Sequence, residues 1–536
     1  MSRETANWLL ARSKATPDRT AFVCGDESVN YKEFQARVDD VAGQLAERGV
    51  NAGDRIGLMA EGMEFAIGLY AASRLGAVSV PLNLRLRPTD LAGQMRLTRA
   101  QSLVSGIPLK SSAEALMRNM TTAPAMPAAS MSDGDSSGTK GTELAYAALF
   151  RQVPVDNQKP ETRNQKRGPQ RGCLLDQVSM DDLHSIVFTS GTTRRGKGVR
   201  LTYQNHWWNA IGSSLNLGSK HEDVWLDCLP LYHVGGLSIL IRGVLYGVPV
   251  IIQPQFDPVA VNAAIDSGAC TIVSLVSTML YRVLTARAGR PFPSSLRCVL
   301  LGGGPLPPSL LDDCVTGGVP VGPTYGMTET ASQAATLRPD ELVEHLGSAG
   351  RPLLGVELRI ETAAGEPPDA RGEILVRGLS VTPGYEDGQP SASAGATGRR
   401  TVDGWLRTGD IGWVDGDGYL EVSGRRVDLI VTGGENVHPS EVESVLVLRS
   451  DVEEAAVVGI PDAEWGQIVC AVIVPRGNPD LAEVARFCRE RLAPYKCPRR
   501  FYLAGSLPRT SSGKLLRIPL REQVEAGNLV DSTALT

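Results

Sequence analysis

HSIVFTSGTTRRGKGVRLTY, residues 184–203, runs from an apolar stretch of strand character straight into a loop crowded with hydroxyls, glycines and cations. Residues 184–190 read as a strand, and residues 189–198 as the loop. In such a loop the backbone N–H groups can point inward, and Lys197 adds a positive charge, so the segment suits a polyphosphate. Gly191, Gly196 and Lys197 also satisfy the spacing of a Walker A loop, but Gly198 stands where the magnesium-holding Ser or Thr would be. VRLTY then reads as a second strand, not as the helix that a Walker loop opens. Taken alone, the loop has a basic surface turn as its less favoured reading.

Working outward, residues 20–23 read as a strand, 31–48 as an amphipathic helix, 55–60 as a strand, 66–75 as a helix and 77–80 as a strand. This alternation predicts an α/β sheet with helices on its faces. The pattern resumes over residues 181–378, with apolar strands at 186–188, 249–252, 271–275 and 298–301. Residues 121–171 and 385–402 are rich in Ser, Gly, Pro and Ala with little periodicity, and read as loose insertions. After Gly424 the style changes: helix 439–446, strands near 455–459 and 469–474, helix 481–492 and strand 500–503 form an α+β unit. The expected architecture is an α/β N-terminal domain of mixed sheets with flanking helices, residues 1–424, plus a small α+β domain, residues 425–536.

A chain of 536 residues exceeds one hydrophobic core, in keeping with two domains. The net charge of −5 comes without a long basic run, so nucleic acid is not an expected partner. The nine cysteines are scattered and never spaced C-x-x-C, which argues against both a disulfide framework and a thiolate zinc site. Without a signal-like N-terminus or an apolar run of membrane-spanning length, the expectation is a soluble cytoplasmic enzyme. Its oligomeric state is left open.

Further motifs follow in order: LPLYHVGG (229–236), LGGGP (301–305), YGMTET (325–330), GWLRTGDIG (404–412), GRRVDLIVTGGENVHPSEVE (424–443) and LPRTSSGK (507–514). With the loop at 189–198, their order and spacing resemble the superfamily of acyl-CoA synthetases, adenylation domains and luciferases over nearly the whole chain. That resemblance implies an enzyme that activates a carboxylic acid with ATP and Mg2+ as an acyl-adenylate, then passes the acyl group to coenzyme A. It assigns the phosphates to Thr189, Ser190, Gly191, Thr192, Thr193 and Lys197, and magnesium to Glu329 with Thr189. Gly302, Gly303 and Gly304 would lie against adenine, and Tyr325, Gly326, Met327 and Thr328 would line the nucleotide. Asp410 and Arg425 would hold the ribose.

Lys514 would stabilise charge developing at the α-phosphorus, and with His233, Thr189 and Glu329 it makes up the expected catalytic set. A lysine in a Gly-Lys turn is otherwise usually solvated, and His233 could instead be a core histidine. Gly433, Gly434 and Glu435 would face coenzyme A from a small C-terminal domain that rotates between half-reactions behind a glycine hinge. The phosphate loop departs from the family pattern at Arg194, for glycine, and Gly196, for proline.

Within the superfamily, NHWWNAIGSSLNLG (205–218), LYHVGGLSILIRGVLYG (231–247), LLGGGPLPPSLL (300–311), YGMTETASQ (325–333) and LGSAGRPL (346–353) resemble the o-succinylbenzoate:CoA ligases of menaquinone biosynthesis. The acid would then meet His233, Arg242, Ser277, Gly303 and Ser332. Arg242 lies off the apolar stripe of its helix, so it could be solvated; covered, it would need an anion, which the second carboxylate of o-succinylbenzoate would supply. A ligase for another aromatic or fatty acid, an adenylating enzyme serving a carrier protein, and a silent nucleotide-binding relative are the alternatives.

Overall fold

The computed structural model describes residues 4–86, 88–106, 109, 112–113, 115–116, 119–120, 151–155, 174–189, 197–304, 306–362, 370–386, 403–425, 428–432, 435–462, 465–492, 494–510, 513 and 515–531. The quoted stretch forms two antiparallel strands, Leu183–Thr189 and Lys197–Thr202, with Thr189 opposite Lys197. The alternation read from residues 20–80 is present as helix Tyr31–Glu47 and helix Gly62–Leu75 between strands Thr20–Cys24, Arg55–Met59 and Val78–Pro81. Asn30 and Glu33 close a capping box at the first helix, and Phe34, Val38, Val41 and Leu45 bury one face of it.

Among the described residues these elements build two large sheets. The seven-stranded sheet runs Gly384–Glu386, Lys197–Thr202, Leu183–Thr189, Val78–Pro81, Arg55–Met59, Ser102–Gly106, Arg151–Val155. In the nine-stranded sheet, Thr20–Cys24, Val250–Ile252, Trp225–Asp227, Ile272–Leu275, Cys298–Leu301 and Val321–Met327 are parallel neighbours. Parallel strands gather ligands at their carboxyl ends. Here those ends lead into LPLYHVGG, Ser277, the Gly302–Gly304 run and the Thr328–Thr330 turn, so one rim carries the motifs.

Two segments read as loose carry strands. Arg151–Val155, inside residues 121–171, adds in parallel to Ser102–Gly106 at the sheet edge. Tyr385 and Glu386, counted with the second insertion, belong to strand Gly384–Glu386 and pair with Lys197–Thr202. Residues 387–402 and the rest of the first insertion, apart from 151–155, lie outside the described residues.

Strands Val356–Glu361, Gly372–Gly378, Leu406–Val414 and Leu420–Arg425 form a four-stranded antiparallel sheet ahead of the C-terminal unit. That unit is built on Gly466–Pro475, paired with Val452–Asp462 and Arg500–Leu503. Val442, Leu446, Val484 and Cys488 pack with Val469, Ala471 and Ile473 in one cluster, while Leu520 and Val524 pack with Cys470 and Val472 in another. The alternation along one strand thus feeds two cores. Helices Pro439–Leu446 and Leu481–Arg491 serve the first core, and helix Arg517–Glu525, absent from the sequence reading, serves the second. No helix among the described residues is long and apolar enough to cross a membrane. The described cysteines are free thiols; Cys173 lies outside them.

Against strand Leu183–Thr189, the N-terminal helix Trp8–Ala15 stacks Trp8 on His184, with ring centroids 5.8 Å apart. His184 meets His206 at 4.8 Å, and Ser185 Oγ lies 3.0 Å from His206 Nε2. Burial pulls His184 down to about 3. His206 is also lowered, by burial first and then by His184 and Arg242.

Candidate active site

The strand Leu183–Thr189 ends on Thr189 and the strand Lys197–Thr202 begins on Lys197, and the antiparallel register sets these two residues opposite each other at one edge. Thr189 Oγ1 lies 3.5 Å from the Lys197 carbonyl. Lys197 Nζ sits 5.2 Å from the centre of the Tyr385 ring. The hydroxyl of that tyrosine donates to Glu329 Oε1 at 2.7 Å. Tyr385 therefore brings the loop cation and the carboxylate of YGMTET to one place. It was missed in the sequence because it opens a stretch of turn-forming residues; a tyrosine bordering such a stretch was the available signal. Ser190, Gly191, Thr192, Thr193, Arg194 and Gly196 lie outside the described residues.

Glu329 is buried within the 3-10 turn Thr328–Thr330, and the Thr382 amide donates to its carbonyl at 2.8 Å. The donor set proposed for magnesium, Glu329 and Thr189, is all oxygen, as a hard divalent cation requires. Gly326 pairs with Gln333 and Met327 with Ser332 across the hairpin that follows. Ala331 and Ser332 take positive φ, 55° and 120°, unusual for residues with a Cβ.

Asp410 is buried on strand Leu406–Val414 and accepts from the Tyr325 hydroxyl at 2.9 Å. Arg425 stands opposite it across the antiparallel pair. The two ribose candidates thus share a rung, and Tyr325 ties Asp410 to the YGMTET hairpin. Gly302 packs against Thr324, and Gly304 is exposed. Gly303 has φ +82°, where a Cβ would be strained and would also stand 3.1 Å from Val276 Cγ1.

His233 precedes helix Val234–Tyr246, its ring 4.7 Å from Tyr232. Burial, assisted by the nearby Arg85 charge, pulls it down to about 4, so it is a neutral aromatic wall at pH 7. Ser277 begins helix Ser277–Arg287, directly after strand Ile272–Leu275. Arg242 is 1% exposed, so it is not on a solvated face. Its guanidinium lies 5.5 Å from the Trp225 ring and donates to Asn209 Oδ1 at 2.6 Å. Among the described residues, therefore, it meets a neutral amide and no carboxylate.

The C-terminal unit touches the same rim. Gly513, next to Lys514, is close enough to helix Ser277–Arg287 that a Cβ on it would stand 2.8 Å from Thr278 Oγ1. One turn further along this helix, the Tyr281 hydroxyl accepts from Arg476 at 3.4 Å. Lys514, Gly433 and Gly434 lie outside the described residues. Glu435 heads strand Glu435–Val437.

Residues 9–386 match the AMP-binding enzyme family, and residues 441–514 match the AMP-binding enzyme C-terminal domain. The chain is 40% identical to a 2-succinylbenzoate–CoA ligase of Bacillus cereus, covering 98% of this chain and 100% of the relative. A Bacillus mycoides enzyme of the same name is 40% identical over 97% of this chain and 98% of its own length. An o-succinylbenzoate CoA synthetase of Bacillus subtilis, solved with its acyl-adenylate intermediate, superposes with a TM-score of 0.82 at 36% identity, covering 97% of this chain and 98% of that one. The same Bacillus subtilis enzyme with ATP and magnesium gives 0.81 at 36% identity, covering 97% of this chain and 100% of that one.

Proposed function

The chain belongs to the AMP-binding enzyme family, and on that premise we propose that it is an AMP-forming 2-succinylbenzoate–CoA ligase of menaquinone biosynthesis. The observation that carries the chemistry is the Lys197–Tyr385–Glu329 cluster, which sets a cation and a buried carboxylate around one tyrosine. A carboxylate oxygen of the acid attacks the α-phosphorus of ATP, the bond to the β-phosphate oxygen breaks, and pyrophosphate leaves with the electron pair. The thiolate sulfur of coenzyme A then attacks the acyl carbon of the adenylate, and AMP departs.

The protein's part is positioning and electrostatic stabilisation. Thr189 and Lys197 hold phosphate oxygens together with Ser190, Gly191, Thr192 and Thr193. Glu329 and Thr189 hold magnesium, which supplies positive charge against the phosphates. The Asp410 carboxylate accepts from the ribose hydroxyls, with Arg425 beside it, and Gly302, Gly303 and Gly304 flank adenine. Lys514 reaches the reacting carboxylate in the first half-reaction. Gly433, Gly434 and Glu435 serve coenzyme A in the second, after residues 425–536 have turned. The approach of Gly513 to Thr278 supports the reading that the present arrangement is the adenylate-forming one. His233, Ser277, Gly303 and Ser332 line the acid.

Pyrophosphate release with a panel of acids, with and without coenzyme A, tests the proposal. Release with 2-succinylbenzoate, and thioester only when coenzyme A is added, is expected. Preference for another acid would change the substrate, thioester on a carrier protein alone would make it a loading enzyme, and no release with any acid would reject the reaction.

A further inference from the structure

The turn that carries Glu329 and Ser332 is held from below by one side-chain amide. Asn209, 3% exposed on helix Tyr203–Leu217, donates through Nδ2 to the carbonyls of Thr330, at 3.1 Å, and Gln333, at 2.8 Å. These carbonyls bracket Ala331 and Ser332, the two positive-φ residues of the hairpin. An amide can present either its oxygen or its nitrogen, and only the nitrogen suits two carbonyls. Arg242 settles the choice: a guanidinium has no acceptor, so its 2.6 Å contact must be with Oδ1, and Nδ2 is then turned to the hairpin.

Thr330 supports the same turn from within, its hydroxyl accepting from the Met327 amide at 3.1 Å and lying 2.9 Å from the Ser332 carbonyl. That bond also lies inside the hairpin. Asn209 ties it to the body of the domain, where helices Tyr203–Leu217 and Val234–Tyr246 meet. Strained backbone persists where its surroundings over-determine it, and here the surroundings include a buried, oriented amide.

We propose that Asn209, oriented by Arg242, is a positioning residue for adenylate formation: it keeps the 330–333 turn strained so that Glu329 and Ser332 face the nucleotide and the acid. This rests on the acyl-adenylate reaction proposed above; pyrophosphate release by the unmodified protein tests that reaction, and only the variants test the relay.

Asn209→Asp separates positioning from packing. The carboxylate keeps, and by its charge strengthens, the contact to Arg242, but it has no hydrogen for the two carbonyls. The expected result is a thermal midpoint near that of the unmodified protein, with the KM for ATP and for the acid raised and kcat/KM for pyrophosphate release lowered at least about tenfold. Unchanged KM and kcat would overturn the proposal. Arg242→Met and Arg242→Lys give an answer even if the Asp variant does not fold. Lys keeps a cationic donor that reaches toward Asn209 Oδ1 and should retain more activity than Met, and Met should raise the KM for ATP, to which the acid's carboxylates do not contribute. Loss confined to the acid, with the KM for ATP unchanged, would place Arg242 on the substrate alone and overturn the relay.

Discussion

Adding one methyl group at Gly513 tests whether the C-terminal unit, as it lies, is docked for the first half-reaction. In Gly513→Ala the new Cβ stands 2.8 Å from Thr278 Oγ1, well inside ordinary contact, at a backbone φ of +80°. The left-handed conformation costs an alanine ~1–2 kcal/mol wherever the unit sits. The overlap costs a further ~1–3 kcal/mol, but only while Gly513 faces Thr278. Adenylate formation should therefore fall about 30-fold or more, since ~1.4 kcal/mol is a factor of ten. Thioester formation from synthetic acyl-adenylate should bear only the conformational part. ATP–pyrophosphate exchange reads the first step, and coenzyme A-dependent consumption of the adenylate reads the second. Thr278→Ala removes the obstructing oxygen, so in the double variant the overlap part should be recovered, giving a coupling of ~1–3 kcal/mol in the exchange assay alone. Equal loss in both half-reactions, or strict additivity of the two substitutions, would show that the contact does not belong to adenylation.

Lys514→Ala should abolish pyrophosphate exchange yet leave thioester formation from synthetic adenylate largely intact; equal loss of both steps would sink the two-face assignment of residues 425–536. Tyr325→Phe removes the donor to Asp410. A hydrogen bond to a charged group is worth ~1.5–3 kcal/mol, so the KM for ATP should rise about tenfold while the KM for the acid stays put, and parallel rises in the two would contradict the ribose role. His184 and His206 both have folded pKa values below the ordinary value of 6.5, His184 at about 3, so folding favours their neutral forms. Their stabilisation is complete above about pH 6.5 and is lost as the pH falls below it, for His184 down to about 3, at ~1.4 kcal/mol per pH unit for each ring. Urea midpoints measured from pH 7 to 4 should fall accordingly, more shallowly in His206→Asn, and a flat profile would mean the rings are not buried as described.

Much of this arrangement is legible in the sequence wherever one local signal suffices. Helix Pro439–Leu446 and strand Arg500–Leu503 fall on the bounds read from the sequence, and the strand read at VRLTY is present, although it begins at Lys197, inside the segment read as loop. What escaped depends on partners far along the chain. Tyr385 reads as the start of a loop until Lys197–Thr202 pairs with it. Arg151–Val155 contains a proline and lies in a stretch without strand periodicity, so only the open edge of Ser102–Gly106 makes it a strand. Arg242 was left between a solvated and a covered reading, and its partner was not legible: a buried amide on a neighbouring helix has no sequence signature beyond Asn205 and Asn209 recurring on the face that also carries His206. Helix Arg517–Glu525 has Pro519 in its first turn, where the missing N–H costs nothing but the apolar period is too short to read.

The edge strand Arg151–Val155 also bears on how the protein could be shortened. Residues 121–171 look like the natural place to trim, since they are rich in Ser, Gly, Pro and Ala with little periodicity. Yet excising them would uncover the flank of Ser102–Gly106, a buried run in the parallel part of the sheet, and leave its amides and carbonyls open to any extended chain nearby. Pro154, in the covering strand, has no amide hydrogen to offer outward, so that strand makes a less adhesive border than the one it hides. A trimmed protein that keeps 151–155 on a shorter tether should stay dispersed, whereas one that loses them acquires a self-association surface although no residue of the catalytic rim has been touched.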